Sequence, residues 1–128
     1  LRSYGTISYA GLMSYLYARL DRKDPRVTAV IEWLRNNYTL DENPRMGEQG
    51  LYYYLHLPAK ALNALGTETL DVKGNRRVPW RRELVLRLIN LQQPDGSWSN
   101  NNNRWWEKDP CLVTAYRVAA LNFACQGL

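Results

Sequence analysis

Residues 92–98 read Gln-Gln-Pro-Asp-Gly-Ser-Trp. Asp95-Gly96 is a turn signal, because glycine accepts backbone angles that other residues avoid. Gln92 and Gln93 stand at the foot of an apolar helical run, and Trp98 follows the turn. The stretch can be a catalytic loop, a binding loop or a structural joint, and the chain on either side has to decide.

Upstream and downstream, five segments carry helical spacing: Ile7 to Leu20, Pro25 to Tyr38, Leu51 to Leu65, Pro79 to Gln93 and Pro110 to Ala124. The second and fourth are amphipathic. Val27, Val30, Ile31 and Leu34 oppose Arg26, Glu32 and Arg35; Trp80, Leu84, Leu88 and Leu91 oppose Arg81, Arg82 and Arg87. That is the pattern of a surface helix. The first, third and fifth are apolar nearly all round, which predicts burial. The order inner, outer, inner, outer, inner predicts an all-α fold of helical hairpins curved about a centre. Asp24-Pro25 and Asp109-Pro110 each supply an N-cap followed by proline at the first helical position. Gly66 marks a helix end. Pro58 lies inside the third segment, where it removes a backbone donor, so a kink or a late start is expected there.

The unit of inner helix, outer helix and long connection repeats at about 45 to 60 residues, as repeat arrays do. The 128 residues are read as a single domain spanning 1–128. Such an array leaves apolar flanks for more protein or a second copy to cover. Leu1 is not an initiator Met and no secretory signal follows it, so the chain reads as a piece of a longer one, and its compartment is not legible. No apolar run is long enough to cross a bilayer. The net charge of +5 suits an anionic partner. The basic residues are nevertheless scattered. Their densest group, Arg76, Arg77, Arg81, Arg82 and Arg87, reads as a solvated face, with a phosphate or anionic-lipid patch as the alternative. Peripheral membrane contact stays open; nucleic acid is not expected. Cys111 and Cys125 would lie about 21 Å apart on one helix. A disulfide requires about 7 Å, so they are read as separate core thiols.

With these elements in place, residues 92–98 resemble the QW motif of the squalene cyclase and prenyltransferase superfamily. Leu88, Gln92, Gly96 and Trp98 match it, whereas Arg87 stands where an aromatic is usual. Trp33-Leu34 gives a weaker echo, with Tyr38 in place of the glutamine. Tyr9-Ala10-Gly11-Leu12, Gln49-Gly50-Leu51-Tyr52-Tyr53-Tyr54, Trp105-Trp106-Glu107 and Asp109-Pro110 are similar to bacterial prenyltransferase or squalene-oxidase repeat proteins. The resemblance covers most of the chain. It implies an α/α toroid whose inner helices face a central cavity, here a partial one of about five helices.

Fold does not fix function. Cyclases of this resemblance begin catalysis at a D-x-D-D motif, which the chain lacks. Asp21-Arg22-Lys23-Asp24 reads instead as a turn and cap. The Asp, Cys and His that hold zinc in protein prenyltransferases have no counterpart at ligand-like spacing, so no catalytic residue, metal or cofactor is assigned. Met46-Gly47-Glu48-Gln49 parallels the Cys-Gly-Glu-Gln of thioester domains. A thioether cannot form that bond, and Glu48 and Gln49 read as caps for the next helix. His56, the sole histidine, is the one side chain that titrates near neutrality unperturbed. The stronger lead is aromatic: Tyr9, Tyr52, Tyr53 and Tyr116 on inner segments, Trp105 and Trp106 in a loop beside one. Such rings pack, stack on flat apolar bodies or sugars, and stabilise cations. These six and His56 are the candidate ligand-binding residues. Gln92, Asp95, Gly96 and Trp98 are the structural motif.

The function expected is a repeat domain with an aromatic-lined concave face for an apolar or isoprenoid small molecule, without catalysis of its own. Two alternatives remain: a terpenoid cyclase fragment whose acid motif lies outside the chain, and a protein- or carbohydrate-binding helical module.

Overall fold

In the computed structural model, residues 2–127 are described; Leu1, on which the reading of a longer chain rested, and Leu128 lie outside them. The fold is mainly α-helical. Its helices are α1 (Gly5–Tyr17), α2 (Pro25–Asn37), α3 (Leu51–Leu65), α4 (Trp80–Leu91) and α5 (Pro110–Cys125). One antiparallel hairpin, β1 (Leu70–Val72) and β2 (Arg76–Val78), interrupts them.

Helix α3 packs against both α1 and α5, α2 lies on α1, and α4 lies on α5 and α3. Position in this arrangement decides burial. Between two neighbours, α3 buries most of its residues, Pro58 among them. It runs unbroken from Leu51 through Pro58, so the expected late start is not seen and the flanking helices hold the segment together. Helices α1 and α5 are less buried than their composition predicts. In α5 only Val113, Arg117, Ala120 and Ala124 are enclosed. Its other face turns outward with Ala115, Val118 and both cysteines. The core-thiol expectation is thereby overturned: Cys111 and Cys125 are free and exposed.

Two helices cap themselves as the sequence predicts. The Asp24 carboxylate accepts from the Arg26 amide at 2.9 Å, and Asp109 accepts from the Cys111 amide at 2.8 Å. Helices α1 and α3 receive their caps from distant loops. The Thr6 amide donates to Asn43 Oδ1 at 3.2 Å and the Gly5 amide to the Pro44 carbonyl at 3.1 Å. Gly5 permits this approach, since a Cβ there would stand 2.5 Å from Pro44 Cδ. At α3 the amides of Tyr52 and Tyr53 donate to Glu107, at 3.2 and 2.7 Å. Glu48 and Gln49 make no such side-chain cap; Glu107, from the far side of the sequence, takes the role.

The hairpin stands in a connection that carries loop residues. Its strands are three residues each, too short for a clear alternation. Lys73-Gly74-Asn75 turns it, with Gly74 and Asn75 both at positive φ. Leu70, Val72 and Val78 point into the core, and Asp71 pairs with Arg77 outside at 2.9 Å. The arginine group is accordingly not one solvated face. Arg76 and Arg77 belong to the hairpin. Arg81 is buried: it donates to the Phe123 carbonyl at 2.7 Å, to Asn63 Oδ1 at 2.9 Å and to Glu68 at 3.0 Å.

Residues 92–98 form a closed joint. Gln92 Nε2 donates to the Gly96 carbonyl at 2.8 Å, the Gln93 amide donates to the Ser97 carbonyl at 2.8 Å, and Asp95 accepts from the Ser97 amide at 2.9 Å. Gly96 adopts φ +86°. Trp98 is buried against Tyr52 and Val113, and its indole N–H donates to the Leu88 carbonyl at 2.8 Å. Trp98 thus satisfies a carbonyl in the last turn of α4.

Candidate functional site

A cleft of about 510 Å³ opens where α1, α3 and α5 meet two loops. That volume is in the range of small-molecule sites. Tyr4 and Thr6 from the start of α1, and Asn43, Met46 and Gly50 from the loop before α3, form one wall. Tyr53 of α3, Leu112 and Tyr116 of α5, and Trp105 with Trp106 complete it. No carboxylate, ammonium or guanidinium is in this lining. Asn43 is buried and committed, donating to Thr6 Oγ1 at 3.0 Å and to the Gln49 carbonyl at 3.1 Å.

The tryptophan wall is unusual in its backbone. Trp105 and Trp106 sit at φ +66° and +58°, a region bulky residues avoid. Such strain, on the order of 1–3 kcal/mol per residue, persists only where the surroundings impose it. Here the surroundings are polar. Asn100 Oδ1 accepts from the Asn102 amide, Asn102 Oδ1 from the Arg104 amide, and the Asn103 carbonyl from the Trp106 amide. Just beyond, Glu107 anchors the loop in the interior, fully enclosed, with its carboxylate on the α3 amides and on Asn100 Nδ2 at 2.9 Å. The side chains so presented are 57% and 74% exposed, which gives the cleft two open aromatic faces. Gly50 leaves the room: a Cβ on it would stand 3.3 Å from Trp105 Cδ1.

The sequence-predicted residues therefore divide. Tyr53, Trp105, Trp106 and Tyr116 line the cleft together. Tyr53 and Tyr116 meet edge to face at 5.4 Å. His56 is not in the lining but stacks on Tyr116 at 6.2 Å, their planes 17° apart. Burial depresses its pKa below the usual 6.5, and the charges of Lys60 and Arg117 lower it further. Tyr9 and Tyr52 face the interior instead. Tyr9 packs on Tyr54 at 5.9 Å, and burial pushes its hydroxyl pKa up. Tyr52 packs on Trp98, with Arg117 over its ring at 4.8 Å. The period of α3 explains the split: Tyr52 and Tyr53 stand 100° apart on the helix, so only one can face the cleft.

Sequence reasoning missed Tyr4, Thr6, Asn43, Met46, Gly50 and Leu112 as lining, and Glu107 and Asn100 as its supports. The signal available for Gly50 and Glu107 was their place beside the aromatic runs; the rest are brought in by tertiary packing. Chemically, the walls offer aromatic faces, hydroxyls and an amide, a surface suited to holding an apolar body by burial and stacking. Among the described residues, no group of three or more His, Cys, Asp or Glu side chains is placed to hold a metal ion. Compared with known proteins, the chain matches no family model, no curated protein and no solved structure.

Proposed function

We propose that the chain is a helical repeat domain of the squalene cyclase type, a segment of an α/α toroid, that binds an apolar or isoprenoid molecule in the aromatic cleft without performing chemistry of its own. One observation carries this reading: Tyr53, Trp105, Trp106 and Tyr116 converge on a 510 Å³ cleft whose lining holds no charged side chain. Burying an apolar ligand there gains free energy with the area removed from water. An ionic ligand would lose hydration without compensation. Uncharged isoprenoids such as squalene or farnesol should therefore bind better than prenyl diphosphates. Such ligands partition into lipid, so peripheral contact with a membrane belongs to the same proposal. Among the described residues, no helix is long and apolar enough to cross one. The outward faces of α1 and α5, with Tyr17 63% and Val118 59% exposed, are where further repeats or a second copy would pack.

The test is thermal unfolding of the full chain with detergent-dispersed squalene, farnesol and farnesyl diphosphate. Squalene or farnesol should raise Tm, and Trp105→Ala with Trp106→Ala should abolish the rise. If neither ligand moves Tm, the isoprenoid reading fails. The high exposure of Trp106 favours one second reading, a stacking platform for sugar rings. A Tm rise with oligosaccharides, lost in the same variants, would establish that reading instead.

A further inference from the structure

Away from the cleft, the interface of α3 and α5 encloses a cation with no hydrogen-bonding partner. Arg117 is wholly buried, and none of its three guanidinium nitrogens meets an acceptor among the described residues. A guanidinium carries five N–H donors in a rigid planar fork. One face of this fork is accounted for, since the Tyr52 ring lies 4.8 Å from its central carbon. That contact balances part of the charge but satisfies no donor.

The nearby carboxylate does not complete it. Glu107 is also fully enclosed, yet its oxygens are committed to the Tyr52 and Tyr53 amides and to Asn100. Its charge lies against the positive end of α3. No ion pair joins it to Arg117; those among the described residues lie elsewhere. Beside the fork, His56 Nδ1 is a second buried polar atom without a partner. Burial first, then the charges of Lys60 and Arg117, lower the pKa of this imidazole, which favours the neutral ring, able to donate or accept.

A buried charge left this way is strongly disfavoured unless something pairs with it. Burial lowers the Arg117 pKa, and the Glu107 charge opposes that through space without bonding to the fork. Water can fill the donors, whereas an anion on the fork supplies acceptors and charge together, and the fork geometry favours planar oxyanions that accept two parallel bonds. The net charge of +5 lowers the cost of bringing one in. We infer that Arg117, with Tyr52 beneath it and His56 beside it, forms an interior site for a small planar oxyanion of the carboxylate or bicarbonate class. The site is separate from the cleft and stands whether or not the cleft binds isoprenoids. It ties α5 to α3 through the bound anion.

Thermal unfolding of the full chain tests this at fixed pH and ionic strength, with formate or bicarbonate exchanged for sulfate. A hundred-fold excess of formate over its Kd should raise Tm by roughly 5 °C or more. Arg117→Met, which keeps an apolar shaft, should remove the difference between anions. Arg117→Lys, which keeps the charge and loses the fork, should shrink it. If the wild-type Tm depends on anion identity no more than that of Arg117→Met, water fills the site and the inference is wrong. Should Arg117→Met not fold, saturation transfer from the wild-type protein to the formate proton decides. Transfer that nitrate competes away supports the site; no transfer overturns it. Neither readout involves an isoprenoid, so failure here and failure of the cleft are told apart.

Discussion

Trp98 shows how much one side chain can settle. Its indole closes the joint after α4 twice over, by burying a large apolar area and by donating to the Leu88 carbonyl. The two contributions can be separated. Trp98→Phe keeps most of the packing and removes the donor, leaving that carbonyl unsatisfied in the interior. A loss of about 1–3 kcal/mol is expected, measured as a lower urea midpoint with an unchanged slope. An unchanged midpoint would mean that the hydrogen bond contributes nothing net. The glycine and aspartate of the same stretch were legible beforehand, because Asp-Gly has few conformational alternatives. The partner of Gln92 was not. A side-chain amide can reach several carbonyls within one turn, and only the folded turn selects Gly96.

Among the elements, the five helices were readable because their apolar periods are long and two begin with Asp-Pro. Their bounds shift by a few residues where no glycine marks the end. α1 stops at Tyr17, and Arg19 adopts the left-handed conformation in place of a glycine. The caps of α1 and α3 were not readable, since Asn43 and Glu107 come from loops distant in sequence. Glu107 carries a testable consequence. Replacing it with alanine orphans the Tyr52 and Tyr53 amides and should cost about 2–3 kcal/mol in denaturant unfolding. Glu107→Gln retains an acceptor and should cost less. If both variants match the wild type, the cap is not stabilising α3. The same residue anchors the tryptophan loop, so half of the cleft wall depends on a contact that no local pattern announces. Tyr53, Trp105, Trp106 and Tyr116 could be picked out as aromatic residues on or beside strongly apolar helical segments. Their convergence, and the turning away of Tyr9 and Tyr52, required the rotation of each helix about its axis.

For the molecule as a whole, a single histidine dominates titration near neutrality. The folded state holds the His56 pKa below 6.5, chiefly by burial. As pH falls through 6.5, the unfolded chain takes up the proton first. Stability is thus full above that pH and declines on acidification. Urea midpoints at about pH 7.5 and 5.5 should differ more in the wild type than in His56→Asn. Equal differences would place the pH dependence elsewhere. The row of helices has a further property that rests on Arg81. Its guanidinium grips the Phe123 carbonyl near the end of α5 and, at the same time, Asn63 near the end of α3 and Glu68 beyond it. The last turn of α5 is thereby fastened to the α3–α4 junction. Melting of α5 is coupled to rupture of that junction, and the two are lost in one cooperative step.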